Sequence, residues 1–141
     1  MIDEWQIAEA KALGADVILL IAGCLSPAQV NSMAAFAKEL GMEVLLEIHS
    51  EAELIHICQQ VDMVGVNNRD LKNFEVSVDV SLRLIHKIPV GKEAVSESGI
   101  SSAETIKKLH GAGYKGFLIG ENFMKAENPG IAFKQFINEM G

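Results

Sequence analysis

Cysteine is nearly absent from this chain. Cys24 and Cys58 are the only two in 141 residues, they lie far apart, and no CxxC pair occurs. A disulfide framework is therefore excluded, and two buried thiols are the expectation. Adding His49 and His56 gives no standard ligand spacing, so no metal site is expected. Proline is scarce at three residues, while hydrophobic residues make up 49 % and charged ones 22 %. That balance belongs to an ordinary globular chain, long enough for one domain with a real core. Positive charge is also in short supply, the net charge being −7. Nothing electrostatic then favours nucleic acid or an anionic membrane, and an anionic ligand needs a local positive site. The longest apolar run, VILLIAGCL (17–25), is too short to span a bilayer. The opening MIDEWQ is acidic from its third residue, unlike a signal peptide, so a cytoplasmic location is expected.

What is present is a strict alternation of helix and strand signals. Asp3 can cap a helix through about Leu13, with Gly14 as its stop. The run 16–23 is apolar on both faces and reads as a strand. Ser26-Pro27 with Gln29 opens a helix ending at Gly41, and 42–49 is the second strand. Ser50 and Glu53 form a capping box for a helix through about Gln60. The third strand is 62–67, followed by a longer connection and a helix near 78–88. The fourth is 93–98, with a Ser101–Glu104 capping box and a helix to about Leu109. The fifth is 115–120, and Asn128-Pro129 starts a closing helix over 129–140.

Strands apolar on both faces, joined by helical crossovers, predict a parallel sheet covered on both faces in an α/β fold of one domain. Five strands suit an open flavodoxin-like sheet or part of a (β/α)8 barrel, and periodicity does not choose between them. Trp5 and the methionines read as packing. His56, His86 and His110 fall in helices, as surface or satisfied structural residues.

Parallel sheets carry function at the carboxyl ends of their strands. Those ends read Glu47-Ile48-His49, Asn67-Asn68-Arg69, Glu97-Ser98-Gly99 and Gly120-Glu121-Asn122, after the bland Ala22-Gly23. Glu47 shares a strand face with Leu45 and His49. A carboxylate in a buried strand is costly unless paired or partly neutralised, which suits either a general acid–base group or a structural ion pair. Asn67 and Arg69 share a face with Gly65, while Asn68 points the other way and, like Asp70, suits a turn or loop. The amide of Asn67 can orient a hydroxyl, and the fork of Arg69 can hold a carboxylate or phosphate. Equally, the asparagines can form a turn and Arg69 a loop salt bridge. Gly99 and Gly120 stand where strands hand over to helices, so backbone N–H groups can converge there on phosphate. Glu121 then offers its N–H and turns its side chain away. The lysines, Lys72 and Lys125 included, fall in helices, loops or strand starts, none at a strand's carboxyl end facing a site.

VGVNNRDL (64–71), AVSESGI (94–100) and FLIGENFM (117–124), with IDEWQI, LGADVILLIA and EVLLEIHSEAEL, resemble the indole-3-glycerol-phosphate synthase family along essentially the whole chain. That resemblance implies strands four to eight of a (β/α)8 barrel. The implied reaction is decarboxylation and dehydration of 1-(2-carboxyphenylamino)-1-deoxyribulose 5-phosphate to close the indole ring, without a cofactor. Glu47 matches a catalytic glutamate, a general base or acid, and Asn67 the asparagine that orients a substrate hydroxyl. Arg69 matches the arginine beside it, either a partner of the substrate carboxylate or a residue supporting the groups that touch substrate. Glu97 and Ser98 match a pair at the active-site floor, and Gly99, Gly120 and Glu121 the backbone phosphate holders. Asn122 stands where a serine is usual. The family's catalytic lysines would lie before Met1, so the chain is expected to be a C-terminal portion without synthase activity by itself. Open sheet edges are expected to drive self-association, and a non-catalytic phosphate-binding half-barrel is the alternative.

Overall fold

The computed structural model describes residues 1–70 and 74–140, and the expectation for Lys72 lies outside them. Along the chain, α1 (Glu4–Ala12) leads to β1 (Val17–Ile21), α2 (Pro27–Glu39) and β2 (Glu43–Ile48). A 3₁₀ segment (Glu51–His56) connects to β3 (Met63–Asn67), and then follow α3 (Asp79–Leu84), β4 (Glu93–Glu97) and α4 (Ala103–Ala112). β5 (Gly116–Leu118), the single turn α5 (Glu121–Met124) and α6 (Pro129–Met140) complete the order.

The helix signals act where the sequence puts them, with two shifts. Asp3 accepts the Trp5 N–H at 2.7 Å, and Gly14 takes φ +94° after α1. Ser26 and Gln29 form their capping box. The helix expected over 50–60 is instead a 3₁₀ segment ending at His56. Its ring bonds the Glu53 and Leu25 carbonyls at 3.0 and 2.9 Å and pins the segment to the loop after β1. The cap of α4 is Ser102, not Ser101, its hydroxyl accepting the Thr105 N–H at 3.2 Å.

All five strands are parallel and pair in the order β1-β2-β3-β4-β5. A flavodoxin-like sheet interrupts chain order, so the sequential order decides for a barrel segment. The two faces differ in their cover. Ile18, Leu20, Val44, Leu46, Ile48, Val64, Val66 and Ala94 pack under Ile7, Val30, Met33, Ala34, Ala37, Leu84 and Leu109 from the helices. The other face carries Leu45, Val95 and the more open Leu19 and Ile21, with Val17 and Leu118 exposed at its edges. Helices therefore cover the even-numbered residues of β1 to β4 and Phe117 of β5, and the second apolar face lines a concavity rather than a second helix layer.

Met124, read as packing, is 73 % exposed, and two more expectations of burial fail. Trp5 is 83 % exposed, because α1 buries only Ile7, and Cys24 is exposed rather than a buried thiol. Among the described residues no helix is long and apolar enough to cross a membrane.

Candidate active site

The strands' carboxyl ends surround one bowl of about 730 Å³. Glu47, Asn67, Arg69, Glu97, Ser98, Gly99, Gly120 and Glu121 all line it. Residues far apart in sequence thus reach one concavity because parallel strands end together at one rim.

At its floor two carboxyl groups meet. Register sets Glu47 beside Gly65, and Asn67 beside Glu97. The Glu97 side chain crosses β3 over Gly65, where a Cβ would stand 1.8 Å from Oε1. Strand alternation gives Gly65 a face but no duty, and the one signal of its role is a glycine between the β-branched Val64 and Val66 inside a strand. Glu47 and Glu97 are 6 % and 5 % exposed. Burial, and then the hydrogen bond and negative charge of Glu47, push the Glu97 carboxyl up to about 8. Two carboxylates have no proton to donate to one another, so Oε1 of Glu97 is buried without a bond when both are ionised. Protonation of one supplies the bridge. The pair therefore holds one proton near neutrality, the arrangement that separates an acid from a base. No lysine or arginine pairs with Glu47 among the described residues, which leaves a structural ion pair to those cations unsupported.

The next strand end is shaped by two asparagines with different duties. Asn67 Oδ1 accepts the Arg69 N–H at 2.9 Å, forming a turn, while the residue still faces the bowl. Asn68, expected as a turn residue, is instead 1 % exposed and fully engaged. Its Nδ2 donates to Ser96 Oγ at 3.0 Å and to the Ser98 carbonyl at 3.1 Å, and its Oδ1 accepts the Ser81 N–H at 3.1 Å. Its own N–H donates to the Glu97 carbonyl at 2.8 Å. These bonds grip a strained turn, for Ser98 has φ +66° and Gly99 φ +70°. That region costs a serine about 1–2 kcal/mol. At Gly99 a Cβ would also meet Val76 Cγ1 at 2.3 Å, so glycine is required there.

The rim holds the positive charge. Arg69 and Lys125 both pair with Glu121, Lys125 at 2.6 Å. The hydrogen bond from Lys125 and the charge of Arg69 hold the Glu121 carboxyl below its ordinary range. Glu121 thus turns its side chain across to these cations within the bowl's lining, where the sequence has it turned away from a phosphate. Lys125, assigned by sequence to the turn after the last strand, does reach the bowl's lining. Gly120 has neither a left-handed φ nor a neighbour that a Cβ would strike, so local packing does not demand glycine. Its bare backbone is open to the bowl.

The family model described as indole-3-glycerol phosphate synthase matches residues 1–136. Proteins named indole-3-glycerol phosphate synthase are 49 % identical over 137 residues in Bacteroides thetaiotaomicron, 44 % over 140 in Polaromonas naphthalenivorans and 48 % over 136 in Salinibacter ruber. Those matches take in 97, 99 and 96 % of this chain but 53, 53 and 50 % of the relatives. The chain spans about half the length of the curated relatives it matches. Among solved structures, 3-hexulose-6-phosphate synthase from Salmonella typhimurium superposes with a TM-score of 0.79 at 17 % identity, over 99 % of this chain and 69 % of that one. A mutant tryptophan synthase alpha-subunit from Pyrococcus furiosus gives 0.73 at 21 %, over 97 and 59 %. These likenesses establish the fold, a five-stranded member of the (β/α)8 barrel class.

Proposed function

Because the chain belongs to the indole-3-glycerol phosphate synthase family, we propose that its bowl is the carboxylate and phosphate side of a synthase active site, carried on one α/β domain. The substrate in this reading is 1-(2-carboxyphenylamino)-1-deoxyribulose 5-phosphate, closed to an indole with loss of carbon dioxide and water. The observation that carries it is the carboxyl pair Glu47–Glu97, set in the same concavity as Arg69 and the glycine-bearing strand ends.

Glu47 and Glu97 divide acid and base duty, one keeping the shared proton for a departing hydroxyl while the other accepts one. Asn67 retains its amide N–H groups for a substrate hydroxyl, its oxygen being used in the turn. Ser98 presents its hydroxyl beside them. Arg69 takes the substrate carboxylate once it leaves Glu121, and the backbone at Gly99, Gly120 and Glu121 receives the phosphate.

By itself the 141-residue chain turns over negligible substrate. Among the described residues the one lysine lining the bowl is Lys125, at the rim and held by Glu121. A missing positioned acid costs about 10²–10⁴ in rate. Titration with a reduced, unreactive substrate analogue should shift the Gly99 and Gly120 amides, while assays for indole product stay flat. Turnover near the rate of a full-length relative refutes the inactivity, and silent amides refute the phosphate assignment. A simple phosphate-binding module predicts the same affinity for the analogue in Glu97→Gln, whereas the synthase reading predicts a changed one.

β1 and β5 remain as sheet edges, with Val17 and Leu118 exposed 43 and 47 %. Two copies can cover each other there. Sedimentation at micromolar concentration should show a species larger than the monomer, and a clean monomer counts against this.

A further inference from the structure

β2 brings two ionisable side chains to the rim, and they open on different cavities. Glu47 lines the bowl, whereas His49 lines, with Ser50 and Glu53, a second cavity of about 570 Å³. The side chains meet at the partition, His49 Nε2 standing 3.3 Å from Glu47 Oε1 with 15 and 8 % of each side chain exposed. That nitrogen is shut off from solvent and lies off the line a hydrogen bond needs, so it is a buried polar atom beside a carboxylate with no bond formed. On the ring's other side, Nδ1 is 3.9 Å from Glu53 Oε2. Glu53 is itself fixed, accepting the backbone N–H groups of His49 at 2.5 Å and Ser50 at 3.1 Å. An imidazole with a carboxylate at one nitrogen keeps the proton there and turns its lone pair outward at the other. Both nitrogens of His49 have a carboxylate beside them, and with the proton at Nδ1, toward Glu53, the lone pair at Nε2 faces Glu47. Glu97, Glu47, His49 and Glu53 therefore form a file of titratable groups from the bowl's floor to the second cavity.

We propose that His49 is a positioning and proton-exchange residue behind Glu47, giving it a route to solvent through the second cavity while the bowl is occupied. The inference rests on the reading of Glu47 as an acid–base group. Glu47 is only 6 % exposed, so a bound substrate closes its path on the bowl side. In the exchange, the Glu47 O–H bond breaks as a His49 Nε2–H bond forms, leaving an imidazolium between the Glu47 and Glu53 carboxylates. The Nδ1 proton then passes to water in the second cavity, leaving the ring protonated at Nε2 beside the Glu47 carboxylate. The reverse sequence, a proton taken from water at Nδ1 and one returned from Nε2 to Glu47, reloads Glu47 and restores the starting tautomer. Nothing is oxidised or reduced. The ring stands between Glu47 and Glu53; the other charged groups lining the second cavity with it are Asp70 and Glu75 from the connection after β3 and Arg83 from α3, and Glu97 lines the bowl beside Glu47.

The test follows the ring nitrogens of His49 by ¹⁵N NMR in the 141-residue chain, with the side-chain carboxyls read in parallel by ¹³C. The expected result is a step in the Nε2 resonance that coincides with the Glu97 carboxyl titration near pH 8 and is lost in Glu47→Gln. In Glu53→Gln the Nδ1-protonated tautomer should decline. A His49 ring without the shared step, or with a tautomer indifferent to Glu53→Gln, overturns the proposal. The first of these outcomes can be seen in the unsubstituted chain, so it does not depend on any variant folding. No substrate is present in these spectra, so the two readings fail separately. Analogue binding with an uncoupled ring sinks the relay alone, and a coupled ring with no analogue binding sinks the synthase reading alone.

Discussion

Oε1 of Glu97 lies 1.8 Å from where a Cβ on Gly65 would stand, so β3 is notched at the one residue that separates Glu97 from Glu47. Replacing Gly65 by Ala is expected to push the carboxyl out of the notch. Overpacking of this kind costs about 1–3 kcal/mol. Urea unfolding below pH 8 reads that loss, and carboxyl NMR should show Glu97 titrating closer to the ordinary 4.5. An alanine variant as stable as the parent, with Glu97 unmoved, would falsify the notch.

The raised Glu97 carboxyl makes stability depend on pH in a defined direction. Its folded value of about 8 stands above the ordinary 4.5, so between these the folded chain holds a proton the unfolded chain has released. The contribution is fully present below about 4.5 and is lost as pH climbs through about 8. The slope reaches at most about 1.4 kcal/mol per pH unit. Glu97→Gln keeps a neutral side chain throughout and should flatten the decline. If urea midpoints of the parent and Glu97→Gln run parallel over this window, the pairing with Glu47 is wrong.

Asn68 is predicted to be the costliest asparagine to lose. Alanine there strands the Ser81 N–H and the Ser98 carbonyl in a buried setting, each worth about 1–3 kcal/mol. A total loss of about 2–4 kcal/mol in thermal or urea unfolding is expected, together with a shifted Gly99 amide as the turn relaxes. Asn67→Ala should cost less than half as much, since Asn67 Oδ1 serves a single turn bond. Equal losses at the two positions would contradict this division.

Glu121 competes with any anion for Arg69 and Lys125. Glu121→Gln should therefore tighten inorganic phosphate or substrate-analogue binding, by roughly two- to five-fold as befits an exposed ion pair. The gain should shrink with added salt. Isothermal titration at two ionic strengths checks it, and weaker binding in the variant would show that the Glu121 side chain assists the ligand.

The strand ends that build the bowl are legible in the sequence because strand alternation and parallel pairing put Glu47, Asn67 and Glu97 at one rim. The carboxyl pair is not, because it depends on Gly65, a neighbour across the sheet that no local pattern connects to Glu97. Asn68 reads as a turn residue since asparagine tolerates such backbone, yet the turn it serves is at Ser98, across a strand pairing. Arg69 and Glu121 stand 52 residues apart in the chain, so their ion pair depends on the parallel packing that brings the ends of β3 and β5 to one rim. Trp5 reads as packing from its size, but α1 presents only Ile7 inward and leaves the indole in water.

Strand order and chain order coincide in this sheet. Partners in adjacent strands stand only 18 to 30 residues apart, from Leu45–Met63 to Met63–Glu93. No strand has to wait for a later one before docking on its amino-terminal neighbour. The sheet can therefore grow in the direction of synthesis, each new strand using the last as its template while the remainder is still on the ribosome. The short, half-open β5 arrives last, and Glu97, one strand earlier, is the residue whose arrival first brings the two carboxyls face to face.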